Sequence, residues 1–161
     1  GSSILLCGAS YRQDVGDTRY SGSELVVRKL AEMGADIRVH DPYVEHWYEL
    51  EKQDTYPAPG QSWKRFFANQ NGLTDVRMQS DLKTALKSVA AVILAVPHAH
   101  YLKRDPAKIV KGAGGPVAVI DCFGILSDEA IRRYFEAGCE VKGLGRGHIQ
   151  RIKEQTRRKK R

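Results

Sequence analysis

ILLCGASYRQDVGDTRYSGSE, Ile4 to Glu24, runs from an uninterrupted apolar segment through a charged loop into the start of a helix. Ile4–Gly8 has no polar face, which is what a strand shows when both sides of its sheet are covered. Ser21 is a good N-cap, and Leu25, Val26, Leu30 and Met33 recur at helical spacing until Gly34 ends the run. A buried strand leading directly into a helix is the opening unit of a parallel α/β sheet.

The rest of the chain keeps that rhythm. Strands are expected at Asp36–His40, Val76–Met78, Ala91–Val96, Val117–Asp121 and Cys139–Gly143. Helices are expected from Ser80 to about Lys87, over part of Lys103–Gly112, and from the Ser127 cap to Ala137. The fold class is therefore α/β, a three-layer, doubly wound parallel sheet of about six strands. One segment interrupts it. Glu45–Asp75 carries Trp47, Trp63, Phe66, Phe67 and a Pro57–Gly60 turn, and reads as a surface insertion whose aromatics build a small core of their own or meet a partner.

Composition narrows the class further. The 161 residues are 42% hydrophobic and 28% charged, enough for one domain over residues 1–150. The start at Gly1-Ser2-Ser3 lacks a methionine and reads as a trimmed terminus of something longer. No segment resembles an export signal or a membrane span. Of the net charge of +7, residues 151–161 (RIKEQTRRKKR) supply +6. The body is thus nearly neutral, the last eleven residues read as a frayed basic tail, and nucleic acid is not expected as a partner. Cys7, Cys122 and Cys139 form no pair and point to a reducing cytoplasm.

Ligands of an open parallel sheet bind outside the carboxyl ends of its strands. Three segments fall there: Gly8–Ser21, Pro97–Tyr101 and Asp121–Ser127. Tyr11 and Arg12 suit a base or sugar face with phosphate oxygens. Asp17 and Arg19 either pair with each other to fix the loop or contact the same ligand. The loop lacks the glycines of a dinucleotide fingerprint. The later Gly143–Gly147 run (GLGRG) reads as a flexible exit from the last strand. His98 and His100 have no third ligand at metal spacing, so His98 is expected to be structural and no metal is expected. Cys122, with no histidine near it in sequence, is read as packing rather than as a nucleophile.

Taken in order, the Gly8–Ser21 loop, VHDPYV (Val39–Val44), AVILAVPH (Ala91–His98), VIDCFGIL (Val119–Leu126) and VKGLGRG (Val141–Gly147) resemble the C-terminal domain of the UDP-glucose/GDP-mannose dehydrogenases. The resemblance implies a Rossmann-like domain that binds the nucleotide of a UDP-sugar, which the whole enzyme oxidises to its uronic acid. It also implies an amino-terminal domain that binds NAD and a catalytic cysteine ahead of this domain, so no catalytic residue lies here. The implied substrate-binding residues are Tyr11, Arg12, Asp17, Arg19, Asp121 and Phe123. Arg12 stands at the family's lysine and Asp17 and Arg19 on its D-T-R. Phe123 stands where many members have an arginine. A homodimer is a further expectation, and a stand-alone binding or assembly module without redox chemistry is the alternative.

Overall fold

Strands joined by crossover connections, rather than by tight hairpins, lie parallel in one sheet. The computed structural model describes residues 1–51, 67 and 70–159. In chain order the elements are β1 (Ser3–Cys7), α1 (Gly22–Glu32), β2 (Asp36–His40), α2 (Tyr48–Glu51), a 3-10 turn (Asn71–Asp75), β3 (Arg77–Gln79), α3 (Leu82–Leu86), β4 (Ala91–Leu94), α4 (Ala99–Leu102), α5 (Pro106–Ala113), β5 (Ala118–Asp121), α6 (Asp128–Glu136), β6 (Glu140–Gly143) and α7 (His148–Lys159). The strands form one sheet in the order β3-β2-β1-β4-β5-β6, and every adjacent pair is parallel. The order reverses between β1 and β4, so the loops leaving those two strands flank a crevice.

Alternation along the strands builds the three layers. Leu5, Cys7, Val92, Leu94 and Val119 face α3, α5, α6 and α7 on one side. Leu6, Val39 and Ile93 face α1 on the other, together with Trp47, Leu50 and Leu73. Trp47 therefore belongs to the main core beneath α1, not to a separate cluster within the insertion. Trp63, Phe66 and the Pro57–Gly60 turn lie outside the described residues.

Three local expectations change. The helix after β3 is capped by Asp81, not Ser80: its carboxylate accepts from the Thr84 amide at 2.8 Å. The stretch after β4 divides into α4 and α5, because the Asp105 side chain caps a new helix with Pro106 in its first turn. Residues 151–159 of the basic tail belong to helix α7, which buries Ile149, Ile152 and Thr156. Those residues recur at i, i+3 and i+7, so a narrow apolar stripe seats the helix while Arg151, Arg157, Arg158 and Lys159 stay in water.

Gly8 closes β1. Its φ is +107°, and a Cβ there would lie 2.5 Å from the Val96 side chain, so the turn out of the strand tolerates no larger residue.

Candidate functional site

The β1–α1 loop leaves the sheet at Gly8 and is fixed by a buried carboxylate from the neighbouring strand. Asp41 Oδ2 accepts from the amides of Ala9 (2.8 Å) and Ser10 (3.0 Å), from Ser10 Oγ (2.6 Å) and from His98 Nε2 (3.0 Å). Its Oδ1 accepts from the Tyr43 amide at 2.8 Å. Burial alone would raise this carboxyl's pKa, but the hydrogen bonds from His98, Ser10 and the backbone outweigh it and hold the group at about 2. On the other side of the ring, His98 Nδ1 accepts the Asp14 amide at 2.8 Å. Nδ1 is therefore unprotonated, and Nε2 carries the hydrogen given to Asp41.

Asp14 completes the clasp. It sits at φ +55°, a conformation costly for a non-glycine residue. That backbone turns its carboxylate to accept from the Ala99 amide (3.0 Å) and from Tyr43 Oη (3.2 Å). The Ala99 amide is the main reason that the Asp14 carboxyl is held below its ordinary range. One loop is thus tied to the ends of β2 and β4 through His98, Asp41 and Asp14. His98 is structural, as its sequence context suggested. Asp41 was not singled out from sequence, because the donors to its Oδ2 are 31 to 57 residues away.

Of the residues singled out from sequence, this clasp presents two to solvent. Tyr11 is 60% exposed. Arg12 is exposed and makes no hydrogen bond or ion pair among the described residues. Asp17 and Arg19 pair with each other: Nε to Oδ1 at 3.0 Å, Nη2 to Oδ2 at 2.7 Å, and the Arg19 amide to Oδ1 at 3.0 Å. The Arg19 side chain and amide hold the Asp17 carboxyl at about 2. Both remain open to solvent, so the pair can shape the loop and still meet a ligand.

Asp121 faces inward. Its Oδ1 accepts from the amides of Phe123 (3.2 Å) and Ile125 (3.0 Å), and its Oδ2 from the Leu126 amide (3.0 Å) and Arg146 Nη1 (3.2 Å). With no exposed surface, it is engaged in holding the loop. Phe123, at the tip of that loop, is 61% exposed. Arg146, which the sequence reading left inside a flexible glycine-rich exit, also donates to the Leu126 carbonyl at 2.7 Å. Together with Asp121 it fastens the exit from β6 to the loop after β5. Burial, and then the Asp121 carboxylate, push the Cys122 thiol up, away from a thiolate nucleophile.

The first loop is arranged unlike a dinucleotide site. Such a site turns the amides after β1 towards pyrophosphate and the acidic residue after β2 towards ribose. Here the Ala9 and Ser10 amides and the Asp41 carboxylate are bonded to one another.

Residues 5–128 match the model of the UDP-glucose/GDP-mannose dehydrogenase family, UDP binding domain. A UDP-glucose 6-dehydrogenase from Drosophila melanogaster is 23% identical over 143 residues, which is 89% of this chain and 28% of that protein. Among solved structures, an NDP-N-acetyl-D-galactosaminuronic acid dehydrogenase from Methanosarcina mazei superposes with a TM-score of 0.70 at 22% identity, over 93% of this chain and 26% of the other. A UDP-D-ManNAc dehydrogenase from Pyrococcus horikoshii gives 0.60 at 19%, over 91% and 26%. The chain thus spans little more than a quarter of the length of these relatives.

Proposed function

The chain belongs to the UDP-glucose/GDP-mannose dehydrogenase family, as a UDP binding domain, and on that premise we propose that it holds the UDP group of a nucleotide sugar with Arg12 and Tyr11. The observation that carries this reading is the state of the first loop. Five donors converge on Asp41 to fix its backbone, yet its one unpaired arginine is left in solvent beside an exposed tyrosine. A cation and an aromatic side chain, adjacent in sequence on a loop whose backbone is fixed, suit diphosphate oxygens and a ring. Because the backbone amides are taken, recognition falls to side chains.

In this reading the bidentate Asp17–Arg19 pair sets the shape of the loop. Phe123 supplies an apolar wall held in place by Asp121. Tyr11, Phe123 and Leu144 are exposed at the carboxyl edge of the sheet, where a second domain would close over the sugar. NAD would bind to that amino-terminal domain, and the whole enzyme would oxidise the UDP-sugar to its uronic acid in the cytoplasm, as a step towards polysaccharide.

Calorimetric titration of the chain with UDP tests the proposal. UDP is expected to bind, and Arg12→Ala to weaken it by about tenfold, the effect of one charge-assisted contact. The melting temperature should not change, since Arg12 bonds nothing among the described residues. UDP binding that ignores the substitution, or NAD binding at this loop, would overturn the reading.

A further inference from the structure

A cavity of about 570 Å³ opens at the carboxyl ends of β2 and β3, between α3, α4 and α5. None of the residues assigned to the UDP group lines it. Its walls are Leu82, Leu86 and Ile109, all buried. Its rim carries Lys83, Lys87, Arg104, Lys108 and Lys111. None of these five cations forms an ion pair among the described residues. Asp81 is the one carboxylate on the lining, and it is engaged in capping α3. Placement near helix C-termini accounts for Lys87 and Lys111. Arg104 donates to the His100 carbonyl at 3.2 Å and to the His100 ring, and Lys83 lies near the Asp81 carboxylate, whereas nothing among the described residues accounts for Lys108.

The inner end of the cavity is specific. His40 is 2% exposed and lines it. The Tyr101 hydroxyl donates to the His40 carbonyl at 2.7 Å, so it must accept from His40 Nδ1 at 2.8 Å. Nε2 is then a bare lone pair with no partner among the described residues. Burial, followed by the nearby His100, pushes this imidazole down to about 4, so it remains an acceptor at neutral pH.

We infer that this cavity binds a nucleoside diphosphate, with the base between the leucine and isoleucine walls giving an N–H to His40 Nε2 and the phosphates meeting the rim lysines. Apolar walls, one oriented acceptor and a cationic mouth match the two ends of such a molecule. The volume is ample for one. Inorganic pyrophosphate would satisfy the rim alone, and a free nucleoside the interior alone.

The test is titration of the chain with ADP, adenosine and pyrophosphate, in the native sequence and in Lys87→Gln/Lys108→Gln. ADP is expected to bind more tightly than either half. Loss of two rim charges should weaken it about tenfold. Both lysines are exposed, so a melting curve should show an intact fold. No ADP binding, ADP binding that ignores the lysine substitutions, or pyrophosphate binding as tightly as ADP would each overturn the inference. Because the proposed UDP contact responds to Arg12 and this one to the lysines, failure of either is separable from failure of the other.

Discussion

His98 and Asp41, 57 residues apart in sequence, meet at 3.0 Å between Nε2 and Oδ2, with neither side chain reaching solvent. This contact joins the carboxyl ends of β2 and β4 and, through Ser10 and Asp14, suspends the first loop between them. The loop that carries Arg12 is therefore only as well placed as Asp41. Asp41→Asn removes the charge and turns an N–H₂ towards groups that are already donors. It is expected to cost about 3 kcal/mol, the usual effect of orphaning buried polar groups, measured by urea unfolding. UDP affinity should fall with it.

The same carboxylate gives the chain an acid limit. Asp41 sits at about 2 in the fold against an ordinary value of 3.8. A depressed carboxyl contributes stability that is present above the unfolded value and lost as protons bind the unfolded chain more readily. Stability should hold above about pH 4 and decline as pH falls towards 2. In Asp41→Asn that decline should be shallower. Identical acid profiles in the two proteins would show that the hydrogen bonds to Asp41 do not set it.

Asp121 makes a different prediction, because its partners are backbone amides. Asp121→Ala leaves three N–H groups and Arg146 without their acceptor. Hydrogen exchange should accelerate selectively at Phe123, Ile125 and Leu126, and stability should fall by about 3 kcal/mol. If those amides stay protected, Arg146 and its bond to the Leu126 carbonyl hold the loop by themselves.

The architecture was legible in the sequence where a signal was local. Apolar runs placed all six strands to within a residue or two, and the Ser21 and Ser127 caps fell where the hydroxyls said they would. Ser80 lost to Asp81 because two neighbouring residues could each cap, and the Asp81 carboxylate is the one that accepts from the Lys83 and Thr84 amides. The tail misled for a related reason: its many cations concealed the stripe of Ile149, Ile152 and Thr156. The site was less legible. Motif positions marked Asp121, but nothing in a sequence says which way a carboxylate faces, and this one faces inward. Asp41 and Arg146 went unread because their partners come from other strands and loops.

If α7 is part of the fold rather than a frayed end, then its apolar stripe must contribute to stability. Ile152 is 5% exposed within the core that contains Phe135 and Val141. Ile152→Ala should cost about 3 kcal/mol, read from the midpoint of denaturant unfolding, whereas Arg158→Ala on the exposed face should change nothing measurable. Equal effects from the two would return the segment to the role of a tail.

Arg28 and Glu24 form an ion pair under α1, with 2.8 Å between Nη2 and Oε1 and neither side chain more than 4% exposed. Breaking such a pair from one side leaves a buried charge without its partner. Arg28→Met should therefore cost about 3 to 5 kcal/mol, and adding Glu24→Gln should recover part of it. The pH dependence identifies the cause. Burial already raises the Glu24 carboxyl above 4.5, and Arg28 opposes that rise. Without Arg28 the folded chain holds the Glu24 proton more tightly than the unfolded chain does. The variant should then be most stable near or below pH 4.5 and lose stability as pH rises through the folded value. This is opposite in sign to the Asp41 effect and lies at higher pH. A variant whose deficit is the same at pH 4.5 and pH 7 would show that Arg28 matters for its packing and its bond to the Glu49 carbonyl, not for its charge.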